Sequence, residues 1–96
     1  MLDLLKTRRS VRKYKDKKVE KEKIDTIVKA MLMAPTSNNR KGWEFLVVED
    51  EDKLKTLSQT REKGSQFLDG APLAIVIATE EDPYDVWIED TSIAAT

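Results

Sequence analysis

Apolar positions along this chain change their spacing from segment to segment, and each spacing predicts a different element. In "MLDLLKTRR", Leu2, Leu4 and Leu5 form one apolar edge of a short helix whose last turn carries Arg8 and Arg9, where cations suit the helix dipole. The polar stretch "SVRKYKDKK" follows as loop. From Glu20 onward, Ile24, Ile27, Val28, Met31 and Leu32 recur with helical period, and Glu20 and Glu22 stand in the first turn. Pro35 disfavours helical backbone at Ala34, so this amphipathic helix is expected to end near Met33.

The segment "PTSNNRKG" is dense in turn-forming residues and runs straight into "WEFLVVED". Phe45 to Val48 are all apolar, which predicts a strand buried on both faces; Asp50 then suits the cap of a short helix carrying Leu54 and Leu57. After the polar stretch "SQTREKGSQ", the run "LAIVIA", residues 73 to 78, reads as a central strand between Pro72 and the acidic "TEEDP". A last helix is expected to start at Asp85 in "DVWIEDTSIAAT", with Trp87, Ile88, Thr91, Ser92 and Ala95 at helical spacings. Two strands seldom make an independent sheet, so the expectation is that residues 1–96 are the N-terminal part of a single, longer domain, cut after its second strand.

Composition narrows the chemistry. With 40% hydrophobic and 36% charged residues the chain reads as folded and soluble rather than disordered. The net charge of -1 conceals an asymmetry: residues 1 to 23 hold ten Lys/Arg and four Asp/Glu, and the remainder holds seven and fourteen. A basic segment of this kind binds an anionic ligand or nucleic acid, or pairs with acidic residues of its own chain. The sequence contains neither Cys nor His, which removes disulfides, thiolate nucleophiles, His-based metal sites and every Ser-His or Cys-His pair. Redox or group-transfer chemistry would therefore need a cofactor. No apolar run approaches the ~20 residues of a membrane span, and no secretion signal is visible, so the chain reads as cytoplasmic.

Two stretches carry candidate chemistry. Arg8, Arg9, Ser10 and Arg12 sit at a helix end and in the loop beyond it; guanidinium forks pair bidentately with phosphate oxygens and the Ser hydroxyl adds a donor. The bland alternative is a solvated basic segment paired with acidic residues. In "APTSNNRKGWEF", Thr36, Ser37, Asn38 and Asn39 stand at a strand entry, where neutral donors and acceptors suit the edge of a flat heterocycle. Here the bland alternative is an ordinary helix-to-strand turn.

Taken together, "RRSVRKY", the amphipathic helix, "APTSNNRKGWEFLVV", "GAPLAIVIA" and "WIEDTSIAA" occur in the order found in the nitroreductase family of FMN-dependent oxidoreductases. Among these, "APTSNNRKGWEFLVV" resembles the family's Pro-Ser-Ser-x-Asn-x-Gln-Pro-Trp pattern. The resemblance covers essentially the whole chain. It implies an α+β, nitroreductase-like fold and a homodimer with FMN at symmetric interface sites. It also implies hydride transfer from NAD(P)H to nitro, quinone or related small-molecule acceptors. Carried over by position, Arg8, Arg9, Ser10 and Arg12 resemble the ligands of the FMN phosphate, ribityl chain and ring edge. Pro35, Thr36, Ser37 and Asn39 resemble the residues that reach the flavin held mainly by the other subunit. Gln66 stands where similar proteins often place a polar residue at the pyrimidine edge. No side chain is implied as a catalytic nucleophile, acid or base, and no metal is implied.

Departures from the pattern are Lys41 and Gly42 in place of the usual Gln and Pro, Thr36 in place of the commoner Ser, and a chain that stops at Thr96. The acidic runs Glu49 to Asp52 and Glu80 to Asp82 lack the spacing of a calcium loop. Trp43 and Trp87 are expected to pack at the edge of the core. Basic residues 12 to 23 lack interleaved aromatics apart from Tyr14, so nucleic acid is not expected as a partner, and without an apolar run of spanning length neither is a membrane. The alternatives to a flavoenzyme are a flavin-free dimerisation or scaffold module and a polyanion-binding basic segment.

Overall fold

The computed structural model describes residues 1–81 and 86–96. A short helix, α1 (Leu2–Thr7), leads into an irregular strap and then into the helix α2 (Lys21–Leu32). The helix α2 begins one residue after Glu20 and has Met33 as its cap, as the periodicity and Pro35 predict. Glu20 pairs with Lys23 at 3.1 Å and with Lys17 at 3.6 Å. Its carboxyl is held below the ordinary value, first by its own backbone amide and then by Lys23.

A one-turn 3₁₀ segment (Ser37–Asn39) connects α2 to the strand β1 (Trp43–Val48). The next helix, α3 (Glu51–Ser58), is capped as expected: the Asp50 side chain accepts from the Lys53 amide at 3.0 Å. A second 3₁₀ turn (Gln66–Leu68) packs on α3 and precedes the strand β2 (Ala74–Thr79). The strands run antiparallel, with Trp43 opposite Thr79 and Val48 opposite Ala74. The last helix, α4 (Trp87–Ala95), lies against both strands and α2. The apolar residues most withdrawn from solvent are Ile24, Met31, Trp43, Val48, Leu54, Ala71 and Ala94, so every long element except α1 and β2 supplies one of them.

Four expectations need correction. β1 is not buried on both faces: Trp43 is buried and stacks on Phe45 with centroids 4.6 Å apart, but the intervening side carries exposed Glu44 and Leu46, the latter 61% accessible. Alternation along a strand separates these two sets, and helix packing covers one of them. β2 has only β1 as a strand neighbour among the described residues, so it is not a central strand here. The edge formed by Leu2, Leu4 and Leu5 contributes nothing to the core, since all of α1 is exposed. Arg8 and Arg9 lie beyond the last turn of α1 rather than within it, because Arg8 at φ -57, ψ 136 is already extended. The expected helix start at Asp85 lies outside the described residues, and α4 is observed from Trp87.

Candidate functional site

The strap after α1 exposes every residue from Arg8 to Lys18. Arg9 is committed: its Nη1 donates to the Lys6 carbonyl at 3.0 Å and to the Arg8 carbonyl at 2.8 Å, so it serves the carbonyls that the ending helix leaves open. Arg8, Ser10 and Arg12 make no side-chain hydrogen bond or ion pair among the described residues, whose acid–base pairs are those of Glu20 with Lys17 and Lys23. Pairing with the acidic half of the same chain therefore does not account for these two arginines. Tyr14 fixes the strap to the body, because its ring lies 6.3 Å from that of Phe67 in the second 3₁₀ turn. Its hydroxyl donates back to the Val11 carbonyl at 2.9 Å.

The loop between α2 and β1 is built in the opposite way, with its backbone satisfied and its side chains left open. Thr36 Oγ1 accepts from the Lys41 amide at 3.0 Å, and the Thr36 carbonyl accepts from the Asn39 amide at 3.1 Å. The Ser37 carbonyl accepts from the Arg40 amide at 3.3 Å. Across 53 residues of sequence, the Ser37 amide donates to Asp90 Oδ1 at 3.0 Å. Asn38, Asn39 and Lys41 adopt φ values of 54°, 54° and 50°. Such left-handed backbone costs an ordinary residue about 1–2 kcal/mol, and Asn tolerates it best after Gly. The Ser37 hydroxyl and the side-chain amides of Asn38 and Asn39 make no hydrogen bond among the described residues. At the loop's exit, Thr79 Oγ1 donates to the Gly42 carbonyl at 3.2 Å and ties it to β2.

Gln66 belongs to a third place. Its Oε1 accepts from the Gly64 amide and its Nε2 donates to the Glu62 carbonyl, each at 2.8 Å, so the side chain closes its own loop around a glycine at φ 100°. Through the Tyr14–Phe67 contact this turn neighbours the strap. Pro35 is exposed at the start of the α2–β1 loop. No hydrogen bond, ion pair or ring contact joins residues 8–12 to residues 35–39 within the chain. A cleft of about 500 Å³ lies beside the loop exit, lined among others by Gly42, Trp43, Thr79, Trp87 and Asp90. The buried Trp43 Nε1 has no hydrogen-bond partner.

Asp90 and Tyr14 are the structurally prominent residues that pattern reading passed over. By sequence Asp90 is one more acid in a helix's first turn, and no local spacing announces a partner so distant in sequence. Tyr14 was visible within "RRSVRKY", but its contact with Phe67 depends on how the chain folds back. Among the described residues no group of three His, Cys, Asp or Glu side chains is placed to hold a metal ion, and no helix is long and apolar enough to cross a membrane.

Helices packed on an antiparallel pair of strands, with polar loops before the second helix and before the first strand, define an α+β protein. The chain belongs to the Nitroreductase family: that family's model matches residues 5–61, which include the strap, α2, the loop, β1 and α3. An FMN-dependent nitroreductase from Clostridium difficile R20291 superposes with a TM-score of 0.95 at 58% identity, over 99% of this chain and 56% of that one. A protein of Archaeoglobus fulgidus, named as a candidate NADH dehydrogenase/NAD(P)H nitroreductase, is 39% identical over 97% of this chain and 55% of its own length. The FMN reductase [NAD(P)H] of Bacillus subtilis is 29% identical over 85% of this chain and 32% of its own length. The chain thus spans about half the length, or less, of these relatives.

Proposed function

We propose that the strap and the α2–β1 loop hold FMN in an NAD(P)H-dependent oxidoreductase that reduces nitro, quinone or related small acceptors. The observation that carries this reading is the pair of exposed arginines, Arg8 and Arg12, left without acidic partners in a chain whose residues 24–96 are acidic on balance. Unpaired guanidinium forks beside the Ser10 hydroxyl match the oxygen-rich, dianionic phosphate of FMN. Arg9, occupied by its own helix end, contributes positive charge and backbone rather than a free fork. Open side chains at Ser37 and Asn39, on a loop whose backbone is already satisfied, match the donors and acceptors of a ribityl chain and ring edge. Thr36 and Pro35 set the shape of that loop. Gln66 joins the ring edge only by giving up its bonds to Gly64 and Glu62, which makes it the weakest of these contacts.

When bound there, FMN supplies the hydride and electron chemistry between NAD(P)H and acceptor; the protein's task is to bind, orient and tune it. The proposed assembly is a homodimer, and the proposed location is the cytoplasm, where NAD(P)H is available. That no hydrogen bond, ion pair or ring contact joins residues 8–12 to residues 35–39 within one chain is compatible with a flavin approached by the strap of one copy and the loop of another.

The test is a titration of the full-length protein with FMN, followed by quenching of flavin fluorescence, with riboflavin as the phosphate-free control. FMN binding much tighter than riboflavin binding, with flavin-dependent NAD(P)H oxidation in the presence of a quinone or nitroaromatic, is the expected result. A protein that binds no flavin but binds oligonucleotides in a salt-dependent manner would instead be a polyanion binder. For the shared site, an Arg8→Ala/Arg12→Ala chain mixed with an Asn39→Ala chain concentrates both lesions at one of two sites. Heterodimers are expected to recover binding at the other, and no recovery in demonstrated heterodimers would mean that both segments act on one flavin within a single chain.

A further inference from the structure

Asp90 stands in the first turn of α4 and is only 9% accessible, yet its carboxylate serves a loop that precedes it by 53 residues. A withdrawn carboxylate needs donors, and the Ser37 amide is one, at 3.0 Å from Oδ1. The first turn of a helix also favours negative charge, so α4 provides a place where an acid is retained at low cost. Reciprocally, the Ser37 amide has no other partner, and the residues that follow it are in the left-handed conformations of Asn38 and Asn39. The Thr36–Lys41 and Thr36–Asn39 bonds close the loop upon itself, whereas the Ser37–Asp90 bond sets where the closed loop sits relative to α4.

We infer that Asp90 is a positioning residue for the flavin: by holding the Ser37 amide it fixes the height and direction at which the Ser37 hydroxyl and the Asn39 side-chain amide are presented. This role rests on the proposed reading of the loop as a flavin contact. Asp90 lies outside both polar segments and beyond the residues matched by the family model. Because Asp90 acts on the loop and not on the strap, it governs the part of the binding that FMN and riboflavin share.

Asp90→Ala and Asp90→Asn in the full-length protein test the role through two measurements: dissociation constants for FMN and for riboflavin, and hydrogen exchange of the loop amides. Loss of a hydrogen bond to a charged group predicts that Asp90→Ala weakens both flavins by the same factor, about tenfold. The FMN-to-riboflavin ratio stays constant while exchange of the Ser37 amide accelerates. Asp90→Asn keeps a neutral oxygen in place and is expected to lose only about threefold, with the Ser37 amide still protected. If Asp90→Ala does not fold, the Asn variant decides, and unchanged affinities for both flavins would overturn the role. A folded Asp90→Ala protein with parental affinities, or one that loses FMN but not riboflavin, overturns it as well. A parent protein that binds neither flavin fails at the earlier step and overturns the flavin reading together with this role.

Discussion

The strap from Arg8 to Lys18 and the loop from Pro35 to Gly42 are both polar, both without regular secondary structure beyond one 3₁₀ turn, and built on opposite principles. In the strap, Arg8 and Arg12 have no partner among the described residues, and a ring contact, Tyr14 on Phe67, holds the middle of the segment to the body. In the loop, the backbone is fastened at Thr36, Ser37, Asn39, Arg40 and Lys41, and three residues are held in left-handed backbone. The difference follows from what each is proposed to recognise. Attraction between guanidinium and phosphate falls off slowly and tolerates many geometries. A neutral hydrogen bond weakens steeply once its angle or length drifts, so its donors must be placed beforehand. On that proposal, the more tightly bonded backbone lies where recognition is neutral and directional.

Removing the strap's charges is the most severe way to test that contrast. Each charge-assisted bond is worth about 1.5–3 kcal/mol, so Arg8→Ala/Arg12→Ala is expected to weaken FMN by roughly 10²- to 10⁴-fold. Riboflavin affinity should barely change, and fluorescence titration of both ligands reads the difference. Equal losses for the two flavins would mean that the strap does not read phosphate.

Straining the loop comes next. Asn38→Ala places a side chain without a compensating polar group at φ 54° and is expected to cost about 1 kcal/mol, or roughly 4–8 °C in thermal midpoint. Asn38→Gly, free at positive φ, should cost less than the Ala variant. Equal midpoints for the two variants would show that the loop stores no such strain.

Loosening the Tyr14–Phe67 contact has a smaller effect. Tyr14→Leu forfeits a ring pair worth about 0.5–1.5 kcal/mol and a hydroxyl bond to Val11, so the thermal midpoint should fall by a few degrees. FMN affinity should fall by about threefold, because charge recognition outlasts imperfect placement. A loss as large as that of the arginine variant would move Tyr14 from fastening to direct contact.

The mildest perturbation is acid at the foot of the strap. With its folded-state value lowered, the Glu20 carboxylate contributes to the start of α2 above the ordinary carboxyl value, and the contribution disappears as pH falls through the lowered one. The group is fully exposed, so the change should be local and confined to resonances of Lys17, Glu20 and Lys23 in an NMR titration. A titration at or above the ordinary Glu value would remove the pairing.

Much of this was legible from the order of residues. Period and punctuation located α2, α3 and both strands, and Pro35 and Asp50 marked boundaries that the backbone respects. Turn chemistry located the loop, since two consecutive asparagines before Lys41 and Gly42 suit left-handed backbone. Burial was less legible: the apolar run Phe45 to Val48 promised two covered faces, yet Leu46 faces solvent, because covering depends on which helices arrive. The arginines of "RRSVRKY" looked equivalent, and only the helix end distinguishes Arg9, which spends its guanidinium on two carbonyls, from Arg8 and Arg12. Asp90 was invisible for the same reason as the Tyr14–Phe67 contact, since both are made by distant chain segments meeting.

The long reach from Ser37 to Asp90 also has a consequence in time. At a synthesis rate of about 5–20 residues per second, Asp90, 53 positions further along the chain, appears roughly 3–10 s after Ser37. During that interval α2 and the loop's local turn can form, since both rely on near neighbours, but the Ser37 amide has no carboxylate to meet. Contacts of such sequence separation also form late in refolding, after the entropy of closing the intervening chain has been met. Maturation of the loop is therefore expected to follow docking of α4, and pulse-labelled hydrogen exchange should protect the Ser37 amide later than the amides of α2.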